Sequence, residues 1–167
     1  MIEAIVYSSY AGHTQMFAKL LGKETGLKVL SLDEAKALKE GTEIVYLGWL
    51  VGGNVANYEK AVKRFRIVAV GAVGMSAPGK QEPDIRKSNK LPDEVPVFEL
   101  QGGYEPDKVH GIYKLMMKMM GGLIGKQLRA KPDRTPEEDE MLEMMKSGKN
   151  CVTGEQLAPL VNFIREA

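Results

Sequence analysis

The chain has 167 residues, 44% of them hydrophobic and 27% charged, which suits one globular domain with a sizeable core. A formal net charge of +1 offers no global field for nucleic acid, so no nucleic-acid partner is expected. One cysteine, Cys151, and two histidines exclude an intramolecular disulfide and give no basis for a metal site. Met1-Ile2-Glu3-Ala4 lacks the charged opening of a secretory signal, and no apolar run reaches membrane-spanning length, so a cytoplasmic location is expected.

Ile2 to Tyr7 is short, apolar and rich in β-branched residues, the pattern of a strand buried on both faces. The turn Ser8-Ser9-Tyr10-Ala11-Gly12-His13-Thr14 follows, then a helix over Gln15 to Gly22 with Met16, Phe17, Leu20 and Leu21 on one stripe. Leu27 to Leu32 reads as a second strand and Asp33 to Glu40 as a short polar helix, with Asp33 at its N-cap. Glu43 to Leu47 is the third strand. It leads into Gly48-Trp49-Leu50-Val51-Gly52-Gly53-Asn54, read as a turn that carries the only Trp. Asn57 to Phe65 is helical, and Arg66 to Val73 is a fourth strand. A polar connection from Gly74 to Pro92 follows, with a helix over Asp84 to Lys90. Val95 to Leu100 is the fifth strand and ends in Gln101-Gly102-Gly103-Tyr104. Lys108 to Leu123 is a Met-rich helix, and Gly125 to Arg134 reads as a basic loop. Thr135 and Pro136 open another helix that ends near Ser147-Gly148. Gly154 to Glu166 closes the chain as an amphipathic helix with Leu157, Leu160, Val161 and Ile164 inward.

Strands alternating with helices predict an α/β protein: one doubly wound, five-stranded parallel sheet with helices on both faces. The stretch at about 104–148 reads as a helical insert between the fifth strand and the last helix, within a single domain spanning 1–167. In such sheets ligands bind beyond the carboxyl ends of the strands. The glycine-bearing turns after strands one, three, four and five all fall at that edge and define a candidate crevice.

The first turn has the chemistry of an anion site. The opening amides of a helix lack intrahelical partners, and the helix dipole favours negative charge there. Ser9 and Thr14 add hydroxyls, and Gly12 lets the backbone approach an oxyanion. A phosphate monoester fits these donors; an ordinary helix N-cap is the other reading of the same residues. The turn has neither a Walker Gly-Lys-Ser/Thr nor a Gly-x-Gly-x-x-Gly, which argues against a nucleoside triphosphatase or a dinucleotide domain.

Ser9-Tyr10-Ala11-Gly12-His13-Thr14 after the first strand resembles the Ser/Thr-x-x-Gly-x-Thr turn with which flavodoxin-like proteins wrap the FMN phosphate. Within that superfamily the chain looks most like the menaquinone-dependent protoporphyrinogen oxidase branch. The insert residues Tyr113-Lys114-Leu115-Met116-Met117-Lys118-Met119-Met120-Gly121-Gly122 and the closing Asn162-Phe163-Ile164-Arg165-Glu166 carry that resemblance. It implies strand order 2-1-3-4-5 and FMN as cofactor. Ser9, Tyr10, Ala11, Gly12, His13 and Thr14 would hold the phosphate. Gly48, Trp49, Leu50, Val51, Gly52, Gly53 and Asn54 would line one side of the flavin ring, and Gly74, Met75, Ser76 and Ala77 the other. Gln101, Gly102 and Gly103 would close its edge, where Tyr104 either joins them or packs on the surface. Trp49 either stacks on the ring or packs as a core or interface Trp. His13 is expected to give its amide with the ring exposed, a proton-transfer role being the lesser reading. His110 is expected at the surface, and no catalytic acid, base or nucleophile stands out.

Three functions follow from the resemblance and the composition. One is an FMN oxidoreductase of the protoporphyrinogen-oxidase-like type, passing electrons between an organic substrate and a quinone or other acceptor. Another is a flavodoxin-type carrier with no substrate, served by a redox partner protein. The near-neutral charge and the lack of an aromatic at Gly74–Ala77 depart from typical carriers. The last is a binding module that has lost the flavin. Met116, Met117, Met119 and Met120 lie among Lys108, Lys114, Lys118, Lys126, Arg129, Lys131 and Arg134. This Met-rich basic segment reads either as core packing with a solvated rim or as a contact with the inner face of a membrane.

Overall fold

The computed structural model describes residues 1–167. Its organising strand is β3 (Glu43–Val51), where Ile44 through Leu47 are wholly buried. Consecutive buried residues mean that both faces of the strand are covered, as in a parallel sheet with helices on each side. Ile44 and Tyr46 face one core, Val45 and Leu47 the other. β1 (Ala4–Ser8) and β2 (Lys28–Ser31) lie on one side of β3, with β1 adjacent to it. β5 (Arg66–Gly74) and β6 (Val97–Gln101) lie on the other. A two-residue strand that follows β3 in sequence, β4 (Asn54–Val55), turns back antiparallel onto the end of β3. The order is therefore β2-β1-β3-β5-β6, with those five strands mutually parallel. Counted over the parallel strands alone this is 2-1-3-4-5, the flavodoxin-like doubly wound sheet, as the sequence predicts.

Helices cover both faces. α1 (His13–Thr25) and α6 (Ala158–Glu166) seal one side through Phe17, Ala18, Leu21, Leu160 and Val161. The other side is closed by α2 (Tyr58–Val62), by α3 (Glu82–Asn89) and by a short 3-10 turn, Glu34–Ala37. The predicted polar helix at 33–40 shrinks to that one turn. Asp33 makes no capping bond, and Arg64 Nη2 instead takes the carbonyls of Lys36 and Leu38 at 2.7 and 2.9 Å.

Other boundaries also differ from the sequence reading: α1 begins at His13 and ends at Thr25 instead of covering Gln15 to Gly22, and α2 is shorter than 57–65. β3 does not stop at Leu47 but runs through Trp49 to Val51, and only Gly52 and Gly53 form the turn. Their φ values of 55° and 83° suit the two-residue hairpin that returns to Asn54, a conformation open to glycine at no steric cost. Asn89 secures this hairpin to α3: its Oδ1 accepts from Val55 N at 2.9 Å and its Nδ2 donates to Gly53 O at 2.9 Å. The expected basic loop at 125–134 is largely helical, because α4 spans Gly111–Ala130. The helix ends where Lys131 precedes Pro132, a position that disfavours helical backbone.

A short ladder clips the base of the region between β6 and α6. β7 (Gly103–Tyr104) pairs antiparallel with β8 (Lys149–Asn150), and between them α4 and α5 (Pro136–Ser147) form a helical hairpin. α5 opens with the expected Thr135 cap as a full capping box: Glu138 N donates to Thr135 Oγ1 at 3.2 Å, and Thr135 N donates to Glu138 Oε2 at 2.9 Å. No helix is long and apolar enough to cross a membrane.

A buried hydroxyl network fixes the ends of β1 and β3. Tyr46 donates to the carbonyl of Ala56 at 2.6 Å and meets Ser8 Oγ at 2.9 Å; Asn57 Nδ2 reaches the same Ser8 oxygen at 3.3 Å. Burial pushes the Tyr46 phenol up to about 12 against a smaller opposing effect of its bond to Ser8. Because the folded value lies above the unfolded 10.0, its contribution to stability is full below pH 10 and lost as pH rises toward 12. Tyr46→Phe leaves the Ala56 carbonyl without its donor and should lower unfolding stability by about 1–3 kcal/mol in a urea titration at neutral pH.

Candidate functional site

The parallel register brings the candidate loops into line. Ser8 pairs with Gly48, Gly48 with Ala72, Trp49 with Val73, and Gly74 with Gln101. Each strand therefore releases its chain at the same edge of the sheet. There α1 begins with Gly12 at its N-cap, held at φ 102° and without a side-chain cap. Gly12 N donates to Ser9 Oγ at 3.2 Å, which closes the turn locally. The amides of His13, Thr14 and Gln15 donate to no protein group. Thr14 is 1% exposed; its hydroxyl has no protein partner and, as it is not among the fully buried unpaired atoms, keeps access to the surroundings. Unclaimed donors at a helix start form a cradle whose chemistry suits an anion.

Two cavities flank this cradle. The larger, about 590 Å³, lies toward β2 and includes Ser9, Gly12, Gln15 and Asn57 with Lys36, Lys60 and Arg64. The other, about 440 Å³, lies toward β5 and is mostly apolar. Both volumes fall in the roughly 300–1,000 Å³ range of small-ligand sites. The apolar cleft collects Tyr10, Ala11, His13 and Thr14 from the first turn, Trp49 through Gly53 from the β3–β4 hairpin, Gly74, Met75 and Ser76 after β5, and Gly102 and Gly103 after β6. Its roof is α4, through Tyr113, Met116, Met117 and Met120. Met119 lies outside the cleft and is 62% exposed.

Four of the sequence-selected residues stand apart from both cavities. Gly48 is a packing glycine: a Cβ there would sit 2.5 Å from Val55 Cγ1. Asn54 faces a shallower cavity behind Trp49. Gln101 braces the wall, since its Nε2 donates to Met75 O at 2.9 Å and its backbone N to Gln156 Oε1 at 2.7 Å. Ala77 is exposed beyond the cleft, in a connection shaped by Glu99. That carboxylate accepts from the amides of Gly79, Gln81 and Glu82 at 2.8–3.0 Å.

Trp49 sits in an aromatic cluster with Tyr10 and Tyr113, at centroid separations of 5.3 and 5.2 Å. Tyr10 also fastens the roof: its hydroxyl donates to His110 O at 2.9 Å and lies 3.1 Å from His110 N. Only the α4 placement could reveal Tyr113, because nothing in its spacing from the first turn marks a partner about 100 residues away.

His13 departs from its expected exposure. It is 7% exposed, and its Nε2 lies 2.6 Å from Glu105 Oε2. Lys108 Nζ meets the same oxygen at 3.0 Å. Gly102 makes room for the ring, as a Cβ there would come within 2.8 Å of His13 Cβ. Partial burial works to raise the Glu105 carboxyl, but the hydrogen bonds from Lys108 and His13 outweigh it and hold it below its ordinary 4.5. Glu105 was not singled out by the sequence, where it is one of many acidic residues in a polar stretch.

No protein-family model matches the chain, and no curated protein matches it. The fold is a flavodoxin-like, doubly wound α/β sheet with unclaimed helix amides and an apolar cleft at its carboxyl edge.

A lowered folded value for Glu105 means that its contribution to stability is present above its unfolded value and lost as pH falls through the folded one. Glu105→Gln should therefore be less stable than the parent at pH 7, and the gap should narrow below about pH 4.5, measured by chemical denaturation at each pH.

Proposed function

We propose that this protein binds FMN at the cradle and cleft and acts as an FMN-dependent oxidoreductase of the protoporphyrinogen-oxidase-like type, passing electrons between an organic substrate and a quinone or other acceptor. The observation that carries the reading is the set of unclaimed amides at His13, Thr14 and Gln15, beside the partnerless Thr14 hydroxyl, with His13 and Thr14 lining the apolar cleft and Gln15 the polar cavity next to it. A phosphate dianion matches the donors and the helix dipole without needing a lysine. A flat heterocycle matches the gap between Leu50–Gly53 and Gly74–Ser76. Once bound, FMN supplies one- and two-electron redox chemistry, and the protein contributes binding, orientation and exclusion of water. The residues that would hold the phosphate are the three amides and Thr14; Tyr10, Trp49 and Tyr113 form a firm aromatic wall beside it.

The Met-lined roof favours an enzyme over a carrier. Met116, Met117 and Met120 give the cleft an adaptable apolar surface for an organic substrate or quinone. Met116 and Met120 also border an exposed stripe of Ile112, Leu115, Met119 and Leu123 on α4. Lys114, Lys118 and Arg129 lie exposed on the same helix. An in-plane contact with an anionic membrane face would bring the cleft mouth to lipophilic acceptors.

FMN should bind the purified protein with quenched fluorescence and markedly more tightly than riboflavin, which lacks the phosphate. Equal affinity for the two would displace the cradle from the reading, and a protein that ignores both would leave only a flavin-free module. Thr14→Glu should weaken FMN binding by about 100-fold, equivalent to ~2.8 kcal/mol, by placing a carboxylate against the phosphate. Turnover of a porphyrinogen with a quinone would then separate the enzyme from a carrier that binds FMN and turns over nothing.

A further inference from the structure

We infer that His13 is the proton acceptor of the cleft, with Glu105 as its positioning residue and Lys108 as the anchor of Glu105. Glu105 Oε2 lies 2.6 Å from His13 Nε2 and 3.0 Å from Lys108 Nζ. A carboxylate only accepts hydrogen bonds, so the proton of this contact belongs to Nε2. In the neutral ring, Nδ1 is then the bare nitrogen with a lone pair. It has no protein partner, and it is not among the fully buried unpaired atoms, so it keeps access to the surroundings. What little surface His13 has lines the apolar cleft. A ring nearly all buried, locked at one nitrogen and free at the other, is the arrangement of a carboxylate-oriented general base.

Several elements converge to hold it. α1 supplies His13, the β7-to-α4 connection supplies Glu105 and Lys108, and Gly102 leaves the space the ring needs. A surface histidine would require none of this. The step is a simple transfer. An N–H or O–H bond of the ligand breaks, its electron pair stays on the ligand atom, and an Nδ1–H bond forms. The resulting imidazolium faces the Glu105 carboxylate. This narrows the ligand class to molecules with an ionisable N–H or O–H that shed a proton as they give up electrons. Only the destination of those electrons rests on the flavin reading.

The chain has two histidines, so ring signals in ¹⁵N-resolved NMR are assigned by comparing the parent with His13→Gln. In the full chain without added ligand, neutral His13 should be the Nε2–H tautomer, and Glu105→Gln should erase that preference. An Nδ1–H ring, or a tautomer indifferent to Glu105→Gln, overturns the proposal. With FMN, a porphyrinogen and a quinone, His13→Gln should lower kcat by about 100-fold with little change in KM. Glu105→Gln should lower it by less. Unchanged kcat in His13→Gln overturns the base role. FMN binding by the parent is measured separately: its absence removes the flavin reading, and the tautomer then judges the dyad alone.

Discussion

Everything at the candidate site depends on the parallel register around β3. Parallel strands connected by covering helices must all release their chains at one edge. Because Ser8, Gly48 and Ala72 lie in one row and Trp49 pairs with Val73, the first turn, the hairpin and the loop after β5 start at nearly the same height. The hydrogen-bond ladder supplies this alignment, and the burial of β3 on both faces makes it hard to slip. A cleft assembled from loops far apart in sequence is the consequence.

The cradle and the roof use different physics. The cradle is mostly backbone chemistry: helix amides beside the unpaired Thr14 hydroxyl, with the left-handed Gly12 turning the chain into position. The roof is side-chain packing. Of the residues in α4 only Gly125 is buried, so the helix is held by few contacts along its length. It packs against α5, and its start is tied to the sheet edge by the Tyr10–His110 hydrogen bonds and the aromatic trio, next to the β7–β8 ladder. Gly103, at φ 96°, cannot take a side chain there, since a Cβ would lie 2.1 Å from Lys149 O. The rim of the cleft is thus adaptable where it meets a ligand and rigid where it joins the sheet.

His13 links the two. Its amide belongs to the cradle, and its ring belongs to a hydrogen-bonded chain that ends on Lys108, just before α4. One residue therefore joins the first turn to the base of the roof.

Much was legible from residue pattern alone. Apolar runs bounded by glycine located the five parallel strands, and alternation with helices dictated a parallel sheet, because period and burial are local consequences of composition. The Ser9–Thr14 turn could be recognised as a helix start with spare donors for the same reason. Local pattern misled where a neighbour decides the backbone: Trp49 continues β3 through its pairing with Val73 of β5, Leu50 and Val51 do so because β4 folds back on them, and the short 3-10 turn at 34–37 is closed by Arg64. Long-range proximity was beyond its reach. Tyr113 beside Trp49, Glu105 against His13, and methionines sorted into roof and outer stripe are decided by how α4 returns over the sheet edge. Those contacts are tertiary: each joins residues far apart in the chain, and only the packing of separate elements gives them their surroundings.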